Sequence, residues 1–263
     1  MSEAAMEVVS VELEGAAAVV AINRPDALNA MNAAVLRALT TQLSELETKP
    51  DVRAIVLTGT GDRAFSAGAD IKQMSQMVAA GGRSWAMLGQ ALMSLIEALE
   101  KPVIAAINGV AAGGGCELAL ACDLRYIAAS ARIGQPEVNL GVIPAWGGTH
   151  RLTRLVGPGA AKDLILTGRL LTADEALRLG LVHSVVTDGE VRRHAVEIAE
   201  QLARKGPIAL ARGKQAINLA ASLDPGAADS LEAEVMAELF GTADRMEGMA
   251  AFLEKRPARF TGR

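Results

Sequence analysis

The sequence predicts an α/β fold: a parallel sheet with helical crossovers, then a helix-rich C-terminal third. Three observations carry this. In the first half, short apolar runs bounded by Gly, Pro or Asn alternate with longer segments of helical periodicity. From about residue 145, helices separated by Gly and Pro take over. No internal repeat, long linker or low-complexity tract interrupts the 263 residues.

Taken in order, residues 8–13 and 17–22 read as a strand pair joined by a turn at Glu14-Gly15. Residues 29–49 follow as a helix, with Leu36, Leu39, Leu43 and Leu46 at helical spacing and Asn29 or Asn32 as cap. Residues 53–58 form an apolar strand broken by Gly59-Thr-Gly61-Asp. Residues 70–77 and 85–100 read as helices, and 102–107 as a buried strand ended by Asn108-Gly109. A short apolar helix spans 114–121 and a further strand 124–128. Helices are then expected at 147–156, 160–167, 172–179, 191–205, 207–221, 230–240 and 246–254. A division near residue 200 separates a core, 1–200, from a C-terminal helical region, 201–263.

Composition excludes several classes. Just over half of the residues are hydrophobic, so the chain can bury a core and is not disordered. A net charge of -4 without any basic run of five argues against nucleic acid as a main partner. No apolar run reaches about 18 residues, so no membrane span is expected. The acidic start lacks a basic or Arg-rich stretch, so no targeting peptide is expected there, and the composition fits a cytoplasmic protein. Cys116 and Cys122 read as two buried thiols. His150, His183 and His194 show no ligand spacing, so no metal is expected.

Three stretches depart from core-and-surface patterning. In residues 63–72, small side chains cluster right after a buried strand; Gly68 leaves the backbone bare, and Asp70 can cap the next helix. The bland reading is a tight strand-to-helix turn. In residues 108–120, Gly113, Gly114 and Gly115 open an apolar helix. Three glycines there are entropically costly unless the backbone must be bare, and free amides at a helix start suit developing negative charge. Glu117 lies in that helix's first turn, where a favourable dipole pairing would also explain it. In residues 133–149, turn residues interleave with aliphatics around Glu137, which could simply cap a helical turn. Each stretch has a structural explanation alone. Together, two carboxylates and two glycine-bearing turns describe a site that stabilises an oxyanion while shuttling protons.

The stretches AFSAGADIK, NGVAAGGGCELALACDL and GQPEVNLGVIPAWGGTHRLTRLVG closely resemble the crotonase family of acyl-CoA enzymes, its enoyl-CoA hydratases in particular. INRPDALNAMN near the start and EGMAAFLEKRPARFTGR at the end resemble the same family, so the likeness spans nearly the whole chain. The resemblance implies a spiral of β-β-α turns with a helical region that trimerises, often into a hexamer. It implies that the amides of Ala69 and Gly114 form an oxyanion hole, and that Ala67, Ala69, Asp70, Ile71, Lys72, Gly114, Phe252 and Lys255 bind the CoA thioester. It also implies Glu117 and Glu137 as the catalytic pair, Glu117 activating water and Glu137 protonating the α-carbon. No cofactor is expected, because CoA is part of the substrate. The activity implied is hydration of a trans-2-enoyl-CoA, as in fatty acid β-oxidation. The alternative is an enoyl-CoA isomerase, or a hydratase for branched or dicarboxylic substrates. Family isomerases can work with one carboxylate, whereas this chain has Glu at both positions.

One departure is Ala145-Trp146, where many hydratases carry small residues. Trp146 would reshape an acyl pocket whose other wall would be Met74, Trp85 and Met87, residues that core packing would also explain. Two rival readings come from local pattern. Gly59-Thr-Gly61-Asp-Arg-Ala64 resembles a dinucleotide fingerprint, but a helix should follow it. Ala64-Phe-Ser66-Ala-Gly68 falls one residue short of a hydrolase nucleophile elbow, and Ser66 would need a His partner.

Overall fold

The computed structural model describes residues 8–263; the acidic start read for targeting signals lies outside them. β1 (Val9–Glu14) and β2 (Ala17–Ile22) pair antiparallel about a turn in which Gly15 takes φ +58°. β3 (Ala54–Gly59), β5 (Val103–Ile107), β7 (Leu124–Ala128) and β10 (Ser184–Val186) extend this sheet in parallel, in the order β1-β2-β3-β5-β7-β10. β2, β3 and β5 are buried along their whole length, as an apolar run without alternation requires when both faces are covered.

The strands of a second sheet were not among those read from local pattern. β4 (Ala64–Ser66), β6 (Val110–Ala112) and β8 (Arg132–Gly134) pair in parallel, and β9 (Leu170–Thr172) closes the edge antiparallel to β8. Each has three residues, too few for a period-two pattern to show in sequence. The chain thus lays β3, β5 and β7 on the first sheet and β4, β6 and β8 on the second, with helices completing the turns. This is the β-β-α spiral.

Several expected helices shift at their starts. α1 is Ala33–Glu47, capped by Asn32, whose side chain accepts from the Val35 amide at 3.0 Å. Asn29 is not helical: it sits at φ +55°, buried, with Nδ2 donating to the carbonyl of Ala64 at 2.7 Å. The helix expected at 70–77 is a single turn, α2 (Ile71–Met74), and α3 (Ala79–Ala98) begins ahead of its apolar stripe, through Gly81-Gly82. α4 (Gly114–Ala121) is as expected; it packs on α3, β4 and β6, and every residue in it is buried. α5 (Gly148–Thr167) is two helical pieces joined at Gly157, whose φ of +78° and following proline break the helical path.

α6 (Ala173–Arg178) starts with a capping box between Thr172 and Glu175. α7 (Val191–Ala203) crosses residue 200 unbroken and lies on β2, β3, β5 and β7. The division placed near residue 200 thus falls within this helix. α8 (Pro207–Ala220), α9 (Pro225–Phe240) and α10 (Ala243–Leu253) pack in succession. α9 and α10 start earlier than periodicity indicated because Asp224 and Thr242 cap them, each accepting a backbone amide three residues on. No described helix is long and apolar enough to cross a membrane.

Candidate active site

The site lies where β4 and β6 end. The two strands run parallel, so the segments that follow them emerge on the same sheet edge. After β4, Gly68 takes φ +102° and its carbonyl accepts from the Met31 amide at 2.7 Å, while the Asp70 amide returns to the Met31 carbonyl at 2.9 Å. After β6, Gly113 takes φ +54° and donates to the Gly134 carbonyl at 2.9 Å. These bonds fix both turns and leave the amides of Ala69 and Gly114 without an acceptor among the described residues. For Gly114 the reason is general, since the first amide of a helix has no intrahelical partner. The two turns meet: a Cβ on Gly68 would stand 3.2 Å from the Gly114 nitrogen and 2.6 Å from the Ala112 carbonyl oxygen.

Two carboxyl groups face this corner. Glu117, in the first turn of α4, is 2% exposed, and its Oε1 accepts from the amides of Trp146 and Gly148, both at 2.7 Å. Burial pushes its pKa up to about 7, against the opposing pull of those two amides and of the Arg151 charge. Glu137 stands in a short 3-10 turn, Glu137–Leu140, after Pro136. Burial raises it also to about 7, and the charge of Glu117 adds to the rise. A Cβ on Gly113 would lie 3.1 Å from Glu137 Oε1, so the glycine turn leaves this carboxylate its room. Buried Gln135, with its amide nitrogen turned toward Glu137, donates to Oε1 at 3.0 Å and to the Gly113 carbonyl at 3.3 Å. Two carboxyl groups that titrate near neutrality, one of them raised in part by the charge of the other, are suited to acid–base work.

The remaining expected residues divide. Ala67, Ala69 and Asp70 are half-buried on the turn, and Ile71 and Lys72 are exposed beyond it. Asp70 caps α2 through Lys72 and Gln73, and its carboxylate pairs with Arg24 at 2.9 Å. Trp146 is 2% exposed, with Trp85 edge-on to it at 5.3 Å between centroids. Its ring fills the slot between α3 and α4, since a Cβ on Gly114 would meet Cζ3 at 2.4 Å. Met74 is half-buried, whereas Met87 is exposed. Phe252, 83% exposed, and Lys255 stand at the C-terminal end of α10, and neither hydrogen-bonds to the site residues.

Both rival local patterns dissolve. No helix follows Gly59-Thr-Gly61; β4 does. Ser66 is fully buried, and its hydroxyl donates to the Asn29 carbonyl at 2.8 Å rather than to a histidine. Sequence reasoning gave no role to the amides of Trp146 and Gly148, to Gln135, or to Arg151 and Glu97. The first three positions lie in the stretch around Glu137, whose Gly-Gly pair was the available signal. The contacts of Glu117 with residues 29 and 31 positions away in the chain had none.

The sequence model of the family described as enoyl-CoA hydratase/isomerase matches residues 12–263. The chain is 48% identical over 248 residues to the short-chain-enoyl-CoA hydratase of Clostridium acetobutylicum, covering 94% of this chain and 95% of that one. It is 47% identical over 256 residues to the crotonyl-CoA hydratase of Syntrophomonas wolfei, covering 97% and 98%. The crystal structure of enoyl-CoA hydratase from Bacillus anthracis superposes with a TM-score of 0.94 at 40% identity, covering 97% of this chain and 100% of that chain. The chain belongs to the enoyl-CoA hydratase/isomerase family.

Proposed function

We propose that this protein is an enoyl-CoA hydratase that adds water syn across a trans-2-enoyl-CoA to give a 3-hydroxyacyl-CoA. The observation that carries the reading is the pairing of two carboxyl groups, each raised to about 7, beside two unused backbone amides. Two similar chains bear the names short-chain-enoyl-CoA hydratase and crotonyl-CoA hydratase, which supports a short acyl group.

In the proposed mechanism the thioester oxygen accepts from the Ala69 and Gly114 amides. Glu117, ionised, takes a proton from water as the water oxygen bonds to the β-carbon. The alkene electron pair moves into the thioester, and the developing oxyanion is held by the two amides, each such donor being worth about 2.7–4 kcal/mol. Glu137, protonated, delivers its proton to the α-carbon. Glu117 then releases its proton to solvent while Glu137 takes one up, and the pair resets. The reaction needs no redox step, and CoA enters as part of the substrate, so no cofactor is invoked. Ala67, Asp70, Ile71 and Lys72 would line the CoA arm, with Phe252 and Lys255 reaching it from α10. Met74, Trp85, Met87 and Trp146 would bound the acyl group.

Exposed apolar side chains on α8–α10, among them Ile217, Met236, Phe240, Met249 and Leu253, support assembly into a trimer or hexamer through the helical region, 201–263. Sedimentation in solution tests this. The free thiols Cys116 and Cys122, both buried, fit the reducing cytoplasm, and the substrate class fits fatty acid β-oxidation. A panel of enoyl-CoA esters of increasing length and branching, followed for hydration and for double-bond migration, tests the function. Hydration of crotonyl-CoA is expected; migration without hydration would overturn the reading in favour of an isomerase.

A further inference from the structure

The turn that holds Glu117 is itself held from the other side by charge. The Trp146 amide donates to Glu117 Oε1, and the Trp146 carbonyl accepts from Nη1 of Arg151 at 2.9 Å. Arg151, on α5, has a side chain only 7% exposed, and it forms a two-pronged pair with Glu97 on α3: Nε to Oε1 at 2.7 Å and Nη2 to Oε2 at 2.6 Å. Gly147 makes the close approach possible, with φ +106° and a would-be Cβ only 1.9 Å from Arg151 Nη1. Gln90, also on α3, donates to the Ala145 carbonyl at 2.9 Å. Thus α3 grips the turn at Ala145 directly and at Trp146 through Arg151.

We propose that Glu97 and Arg151 form a clamp that sets the orientation of the Trp146 peptide and thereby of the Glu117 carboxylate, making Arg151 a positioning residue for hydration. The inference rests on the reading of Glu117 as the group that activates water. Two features separate the clamp from ordinary packing. A neutral donor would satisfy the Trp146 carbonyl, whereas burying a guanidinium is costly unless it is paired, as it is here by both prongs of Glu97. The clamp is also continuous, since both backbone groups of one residue are engaged, the carbonyl by Arg151 and the amide by Glu117. Small displacements of a reacting group cost rate steeply, about 10²-fold for 1 Å.

The titratable and charged groups that face Glu117 are Glu137, the buried neutral thiol of Cys116, and Arg151. Of these, Arg151 alone favours the ionised form of Glu117. The clamp therefore has an electrical signature as well as a geometric one. Removing its charge raises the pH at which Glu117 ionises, and the acid limb of the rate profile should follow.

The test measures crotonyl-CoA hydration against pH for the full chain and for Arg151→Gln, Arg151→Lys and Glu97→Gln, with thermal unfolding of each. Arg151→Gln should lower kcat by about 10²-fold with little change in KM. Its acid limb should rise, because the charge that favours ionised Glu117 is gone. Arg151→Lys keeps the charge without the planar fork, so it should restore the limb and only part of kcat. Glu97→Gln should lower kcat by about 10-fold without raising the limb, because the charge stays and only its anchor loosens.

A folded Arg151→Gln protein with near-normal kcat overturns the clamp. So does a loss of kcat with the acid limb unmoved, the result that a packing defect gives. If Arg151→Gln does not fold, Glu97→Gln decides, and unchanged turnover there overturns the proposal. A second readout needs no turnover: the infrared carboxyl band of Glu117, identified by its loss in Glu117→Gln, should titrate higher in Arg151→Gln than in the natural sequence. An unmoved band overturns the clamp even if the natural protein hydrates no enoyl-CoA, an outcome that would overturn only the functional reading.

Discussion

The indole of Trp146 occupies the space that a side chain on Gly89 would need: a Cβ at position 89 would lie 2.2 Å from the ring's Cδ1. Gly89 is inside α3, where alanine would gain about 1 kcal/mol of helix propensity. The obstacle is a rigid buried ring, and overpacking costs about 1–3 kcal/mol. The clash should win. Gly89→Ala should lower the Tm and, by displacing the Trp146 peptide from Glu117, lower kcat. A more stable Gly89→Ala protein would show that the slot is not full.

Trp146 also abuts Gly114, where the thioester carbonyl is proposed to sit, and so limits the room beyond it. Trp146→Phe should raise kcat/KM for longer enoyl esters relative to crotonyl-CoA by about tenfold or more, the value of one or two accommodated methylenes. An unchanged ratio across the ester panel would remove Trp146 from the acyl wall.

Glu117→Gln and Glu137→Gln should each reduce hydration by about 10²- to 10⁴-fold while leaving KM little changed. With one carboxyl needed ionised and the other protonated, kcat/KM of the natural protein should be bell-shaped with its maximum near neutral pH. It falls in acid as Glu117 takes up a proton and in alkali as Glu137 loses one. A flat profile between pH 6 and 8, regions that bracket the value of about 7, would contradict the paired roles.

The same two groups make stability depend on pH. Each carboxyl is raised from the ordinary glutamate value of 4.5 to about 7 in the folded protein, so the fold favours the protonated form. That contribution is complete below about 4.5 and is lost as pH climbs through about 7. For the buried Glu117 the loss amounts to about 3 kcal/mol. Glu117→Gln, neutral at every pH, should therefore be more stable than the natural protein at pH 8, with the advantage shrinking towards pH 5. Calorimetry at both pH values checks the sign. An advantage that grows in acid would reverse it.

Much of this architecture could be read from the chain. The fully apolar runs of β2, β3 and β5 announced a sheet covered on both faces, and the glycines before α4 announced a helix with a bare start. What escaped was short or conditional. β4, β6, β8 and β9 exist because each finds a neighbouring edge to bond, not because three residues prefer extension. Asn29 looked like a cap, but its side chain serves three backbone partners in the loops around β4 and Arg24 instead.

The sequence by itself determined the α/β alternation, the family likeness and the two glutamates worth examining, because periodicity, glycine placement and motif order are local properties of the chain. Only the tertiary structure decided what those glutamates are. Glu117 becomes a group that titrates near 7 because α4 is wholly buried, and that burial outweighs the amides of residues 146 and 148, which favour its ionised form. Glu137 is raised by its own burial and by the charge of Glu117, which no local pattern relates to it. The Glu97–Arg151 clamp likewise joins two helices that are distant in sequence. Desolvation depends on the whole packed molecule, and it lifts two ordinary carboxylates to about 7.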